Sequence, residues 1–240
     1  MSRQKGWYLG LFGWLRTSVH ELGHAFFCIV FGHKITDLSL FSPNTETGTL
    51  GYVKHSYNRE NIYQLAGNFF IGIGPILLGT AIIVLLAYWL LGLNIFNLNS
   101  NLISASSQLN SWDAIGRLWH GLWSSFGHLL AGTFSWASLS GWHLYLFIYL
   151  ALAISSSITL SLPDIKAALS GFGIIAVLIF LLNLATAWAG NFLSNLVIGI
   201  SGYYILFFTI VLLIFLVNLA VALLILLPLS LWQRSRSKAI

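Results

Sequence analysis

The chain has 240 residues, 58% of them hydrophobic and only 7% charged. Soluble domains carry about 25% charged residues, so this composition excludes an ordinary soluble globular protein, and its hydrophobicity excludes disorder. The formal charge of +5, from 11 Lys and Arg against 6 Asp and Glu, is too small to call for a nucleic-acid partner and is read instead as orientation in a lipid bilayer.

A membrane-spanning helix needs about 20 consecutive apolar residues. Taken in chain order, the first apolar run is 7–32, interrupted by Arg16, His20, Glu21 and His24. The basic start followed by an apolar stretch mimics a signal peptide, but no small-residue cleavage site follows, so the segment is expected to be retained. Residues 33–61 are polar. Two alternating stretches, Ile35–Phe41 and Thr49–Val53, flank Pro43, Asn44 and Gly48, which predicts a small β-hairpin. Then come an apolar run at 62–92 and a segment at 93–141 rich in Asn, Ser and Trp. Within that segment, 112–134 has the spacing of an interfacial helix, and the segment's Trp112, Trp119, Trp123 and Trp136 read as interface anchors. Apolar runs at 142–162, 168–190 and 201–228 complete the chain. The expected fold is an all-α polytopic membrane protein in one domain over 1–240. It has five transmembrane helices, or six if 112–134 also crosses, and a hairpin after the first.

Five spans put the termini on opposite sides. The hairpin side then holds Lys34, Lys54, Arg59, Lys166, Arg234, Arg236 and Lys238, and the other side holds Arg3, Lys5 and Arg117. The excess predicts that the hairpin and the C-terminus are cytoplasmic. The localisation expected is multi-pass in a plasma membrane or an equivalent inner membrane.

Six acids are few enough to weigh singly. Asp37, Glu46 and Glu60 fall in the polar hairpin segment, and Asp113 starts the expected interfacial helix. Glu21 lies inside a span and Asp164 at the junction of two, and an ionisable group in a span is costly enough to point to function. Glu21 belongs to His20-Glu21-Leu22-Gly23-His24, an H-E-x-x-H pattern. On a helix, residues four apart share a face, so both imidazoles can bind one Zn²⁺ while the carboxylate between them takes a proton from a water that the metal polarises. A catalytic zinc takes a third protein ligand. His24 precedes Gly32 by eight residues, which puts the metal about 12 Å below the hairpin side. Asp164 is the one acid at a span end on that side and is the expected third ligand, with stabilisation of a helix start as its alternative role. Asn68 and Asn183 are candidates for steadying an oxyanion or for interhelical hydrogen bonds. His33, His55, His120, His128 and His143 lack metal-binding spacing and are expected at surfaces or interfaces. Cys28, the single cysteine, is expected as a small buried apolar residue.

The stretch HELGHAFFCIVFGHKITDLSLFSP resembles the site-2 protease family of intramembrane zinc metalloproteases, with Ala25, Gly32, Lys34 and Phe41-Ser42-Pro43 at matching places. Residues 66–79, AGNFFIGIGPILLG, are similar to the Gly-Pro-containing second core helix of that family. The resemblance implies a protease that cuts membrane-associated polypeptides, with His20 and His24 on one zinc ion per chain and Glu21 as catalytic base. The family's Leu-Asp-Gly motif is missing here, so Asp164 serves by position rather than by motif. Two other readings stand beside this one. The chain also fits a Ste24-like membrane zinc protease, or a non-catalytic membrane scaffold or assembly factor on a protease-like frame.

Overall fold

The computed structural model describes residues 13–43, 49–92 and 136–186, with scattered positions between 116 and 133 and at 211–212. The chain divides into two compact units, 1–93 with 136–199 and 94–135 with 200–240. The first unit is mostly helical and carries a small antiparallel sheet. Its elements are α1 (Trp14–Val30), β1 (Lys34–Ser39), β2 (Tyr52–Ser56), α2 (Ile62–Leu91), a one-turn helix at Trp136–Leu139, α3 (Trp142–Ser155) and α4 (Leu162–Thr186).

Helix α1 ends because Gly32 adopts φ +69°, a conformation that costs glycine nothing. The His33 N–H then donates to Cys28 O at 2.8 Å and the Gly32 N–H to Ile29 O at 3.1 Å. This is a Schellman closure, which satisfies carbonyls the helix would otherwise leave open. The chain turns directly into β1, which pairs antiparallel with β2 from Lys34 opposite Ser56 to Ser39 opposite Tyr52, with a bulge at Thr36. The second strand lies three residues further along than the alternation at Thr49–Val53 predicts. Cross-strand chemistry sets this register. Lys54 Nζ donates to Asp37 Oδ2 at 3.1 Å, and the Thr36 hydroxyl donates to Lys54 O at 3.1 Å. The ion pair holds the Asp37 carboxyl below the usual carboxylate range and raises the Lys54 ammonium.

Helix α2 starts at an N-cap. The Asn61 side chain accepts from Tyr63 N at 3.0 Å and Gln64 N at 3.3 Å, relieving two of the donors that a helix start leaves unpaired. Its first turn ties back to the end of α1. Tyr63 Oη donates to Val30 O and Gln64 Nε2 to Gly32 O, while Phe31 stacks on Phe70 with ring centroids 4.9 Å apart.

Where α1 crosses α2 the backbones touch. A methyl group at Gly23 would lie 2.7 Å from Gly74 C and from Pro75 Cα. Small residues permit this approach, which is how helices associate where lipid removes the hydrophobic incentive between them. At Gly72 a methyl group would lie 2.6 Å from Asp164 O, so α2 admits the start of α4 as closely as it admits α1.

Helices α2 and α4 are long and apolar enough to cross a membrane. Helix α2 fills the expected run at 62–92, and α4 starts six residues before the run at 168–190. Leu169, Phe172, Phe180 and Leu184 on α4 are exposed, as on a lipid-facing surface. The expected span at 142–162 is corrected. Helix α3 stops at Ser155 after 14 residues, about 21 Å of helix. The cause is a serine run. The hydroxyls of Ser155, Ser156 and Ser157 donate to the carbonyls of Leu152, Ala153 and Ile154 at 3.1, 2.7 and 2.6 Å, competing with the helix for its acceptors. Residues 158–161 are irregular, and Ser157 is fully buried. Apart from residues 211–212, the expected span at 201–228 lies outside the described residues, as does the N-terminal part of the run at 7–32. The expected interfacial helix at 112–134 is described only at scattered positions, among them Trp119 and Trp123, which are helical with ring centroids 5.9 Å apart.

Candidate metal centre

Three side chains from two helices converge on one point. His20 and His24 project from the same face of α1, and Asp164 projects from the first turn of α4. His20 Nε2 lies 3.2 Å from His24 Nε2. Asp164 Oδ1 lies 3.4 Å from His24 Nε2, and Oδ2 lies 3.7 Å from His20 Nε2. Metal–ligand bonds of 2.0–2.1 Å at the tetrahedral angle separate ligand atoms by about 3.3 Å. The two nitrogens stand at that separation, and the carboxylate offers one oxygen to each at a similar distance.

Each imidazole is fixed from behind. His24 Nδ1 is 2.7 Å from Ile71 O on α2, and His20 Nδ1 is 2.9 Å from Ser157 O in the irregular segment after α3. A carbonyl only accepts, so each Nδ1 carries the hydrogen, and in the neutral rings both Nε2 atoms present lone pairs. Two lone pairs facing each other at 3.2 Å repel unless a cation lies between them. A second layer of carbonyls behind metal-binding histidines is the usual way such rings are oriented. The donor set, two imidazole nitrogens and one carboxylate, thus fits a metal ion of the zinc class.

Asp164 fills the helix-start role and, from the same place, faces the two histidines. The Ser161 hydroxyl and backbone N–H donate to Oδ2 at 2.6 and 2.7 Å, and the Asp164 N–H faces the Ser161 hydroxyl at 3.4 Å. This is a capping box over Ser161-Leu162-Pro163-Asp164. It starts α4 and holds the carboxylate so that Oδ1 faces His24.

Glu21 is buried beside the two histidines on α1. The hairpin closes over it. A methyl group at Gly51, just before β2, would lie 3.0 Å from Glu21 Cγ and 2.7 Å from Thr17 Cγ2. Only a residue without a side chain lets the strand approach the carboxylate this closely. Asn68 is buried on α2, one turn before Ile71. Asn183 is exposed on α4, about five turns beyond Asp164, and takes no part in the centre. Arg16, one turn before His20, reaches Thr159 Oγ1 at 3.4 Å.

Several groups at the centre escape sequence reasoning. The carbonyls of Ile71 and Ser157 carry no side-chain signature. The Ser-x-x-Asp pattern at 161–164 was visible and would have drawn Ser161 into the site. His33, expected at a surface or interface rather than as a ligand, is buried, and with Cys28 and His55 it forms a second group of ligand atoms.

No protein-family model, curated protein or solved structure matches this chain.

Proposed function

We propose that the chain is a zinc-dependent intramembrane endopeptidase of the site-2 protease type, cutting membrane-associated polypeptides. The observation that carries this reading is the convergence of His20, His24 and Asp164, with both Nε2 lone pairs turned inward, beside the buried carboxylate of Glu21. A zinc ion held by those three residues supplies Lewis-acid polarisation of a water and of the scissile carbonyl.

The chain's own residues do the rest. Glu21 takes a proton from the attacking water and returns it to the leaving amine. Asn68, buried on α2, is the candidate donor to the developing oxyanion. A substrate helix satisfies its amides internally and must unwind before attack. Among the described residues β2 pairs on one side only, and its free edge can receive the unwound strand by main-chain hydrogen bonding. Gly51 then carries that strand toward Glu21.

The same reading places the protein in the membrane with five spans. Its third span comprises 136–155, where Trp136–Leu139 and α3 supply 4 and 14 helical residues, about 27 Å of helix, with a break at Ser140-Gly141 bridged by Tyr145 Oη to Leu139 O. The Lys and Arg split sets the hairpin and the C-terminus on the cytoplasmic side.

The test is Glu21→Gln in the full chain reconstituted into liposomes with single-span peptide substrates. The amide cannot accept the proton, so cleavage falls by about 10²–10⁴-fold while zinc content is unchanged. Cleavage at the parent rate would remove Glu21 as base. Zinc binding without cleavage of any single-span peptide by the parent chain would favour the non-catalytic scaffold.

A further inference from the structure

At the hairpin end of α1 lies a second cluster that the proposed proteolysis does not use. The Schellman closure bonds the His33 N–H to Cys28 O, which brings two residues five apart to the same end of the helix. Pairing of β1 with β2 then sets His55 opposite Ile35, next to His33. The result is that one ligand atom from each of Cys28, His33 and His55 lies within 4.8 Å of the other two.

The cluster has the same construction as the first centre. His33 Nε2 is 2.9 Å from Gln64 O, so that nitrogen carries the hydrogen and Nδ1 presents its lone pair. His33 Nδ1 faces His55 Nδ1 at 3.0 Å. Tyr57 stacks on the outer side of His33, with ring centroids 4.9 Å apart, and holds the ring in place. Cys28 is fully buried and His33 nearly so, while His55 is partly exposed, which leaves a route of entry on the hairpin side.

We infer that Cys28 Sγ, His33 Nδ1 and His55 Nδ1 form a second metal site for a zinc-class ion, with the fourth position left to a water, which clamps the β-hairpin to the end of α1. A thiolate with two imidazoles is a borderline-soft donor set, which suits zinc and cobalt and excludes magnesium and calcium. Binding releases the thiol proton to solvent and involves no change of oxidation state. The clamp lies four residues along the chain from Gly51, the residue that covers Glu21, and so fixes the height of β2 over the first centre. The site stands on its own ligands and does not depend on the chain being a protease. The metal-free alternative is a hydrogen bond from His55 Nδ1–H to His33 Nδ1, with Cys28 as inert packing.

Cobalt separates these outcomes. Cys28 is the single cysteine of the chain, and the first centre contains no sulfur, so a thiolate-to-cobalt charge-transfer band in the near ultraviolet reports the second site alone. The full chain in detergent is stripped with chelator and titrated with Co²⁺. The band should saturate by two equivalents per chain, the first centre taking the other, and vanish in Cys28→Ala. Its affinity should weaken in both His33→Ala and His55→Ala by more than the 10–100-fold that losing an outer partner costs. It should be unchanged in Asp164→Ala, which disables only the first centre. Because the buried His33 variant can fail to fold, the His55 variant, checked by circular dichroism, decides. A cobalt-loaded parent chain with no thiolate band overturns the proposal. So does a folded His55→Ala chain that keeps the band at the parent affinity.

Discussion

His20 and His24 face each other through their Nε2 atoms at 3.2 Å, each with its Nδ1 hydrogen committed to a backbone carbonyl. Neither ring can donate to the other in the neutral state, so the pair suits a cation between them, a metal ion or a proton. The two carbonyls come from different parts of the fold, Ile71 on α2 and Ser157 after α3. The orientation of the histidines on α1 therefore depends on the packing of both neighbours.

Ser161 and Asp164 separate the structural and metal-binding roles of the carboxylate. Ser161→Ala removes one cap of α4 and is expected to cost about 1 kcal/mol of stability, with zinc content retained. Asp164→Ala loses the cap and a ligand together, and zinc occupancy falls with cleavage. Thermal unfolding and metal analysis on the two variants check this. Equal loss of zinc in both would mean that Ser161 is indispensable to the site, and equal retention would reduce Asp164 to a helix cap.

The crossing of α1 and α2 makes a prediction of opposite sign at two glycines. Gly23→Ala forces the added methyl into Gly74 and Pro75 and is expected to destabilise the chain by about 1–3 kcal/mol, displacing His24 with the helix. Gly173 on α4 has nothing within 4 Å of an added methyl. There alanine favours the helix by up to about 1 kcal/mol. Unfolding in mixed micelles compares the two. A neutral Gly23→Ala would show that the backbones are not in contact.

Much of the centre was legible because its chemistry is local. His20, Glu21 and His24 lie within one helical turn and a half, and Asp164 stood out because acids are so few. The hairpin was legible from alternation, but its register was not, because the Asp37–Lys54 pair that sets it is a contact between strands. The end of α3 was hidden for a different reason. Hydropathy counts Ile154 to Leu162 as apolar enough to continue a span, and it is blind to three serine hydroxyls competing for helix carbonyls. Cys28, His33 and His55 could not be grouped because a Schellman turn and a strand pairing bring them together, and neither leaves a spacing pattern.

The proposed orientation rests on charge alone and can be read directly. In a Cys28→Ala background, single cysteines introduced at Ser56 and Ser237 should both react with an impermeant thiol reagent from the cytoplasmic side only. Reaction of the two from opposite sides would contradict the five-span arrangement.

The central claim is that His20, His24 and Asp164 hold one zinc ion. Its most direct measurement is the zinc content of the purified full chain in the Cys28→Ala background, which leaves the first centre as the single intact group of ligands among the described residues. The account predicts about one zinc per chain there, retained in Glu21→Gln and falling to background in His24→Ala and in Asp164→Ala. A Cys28→Ala chain without zinc, or a folded His24→Ala chain that keeps a full equivalent, would contradict it.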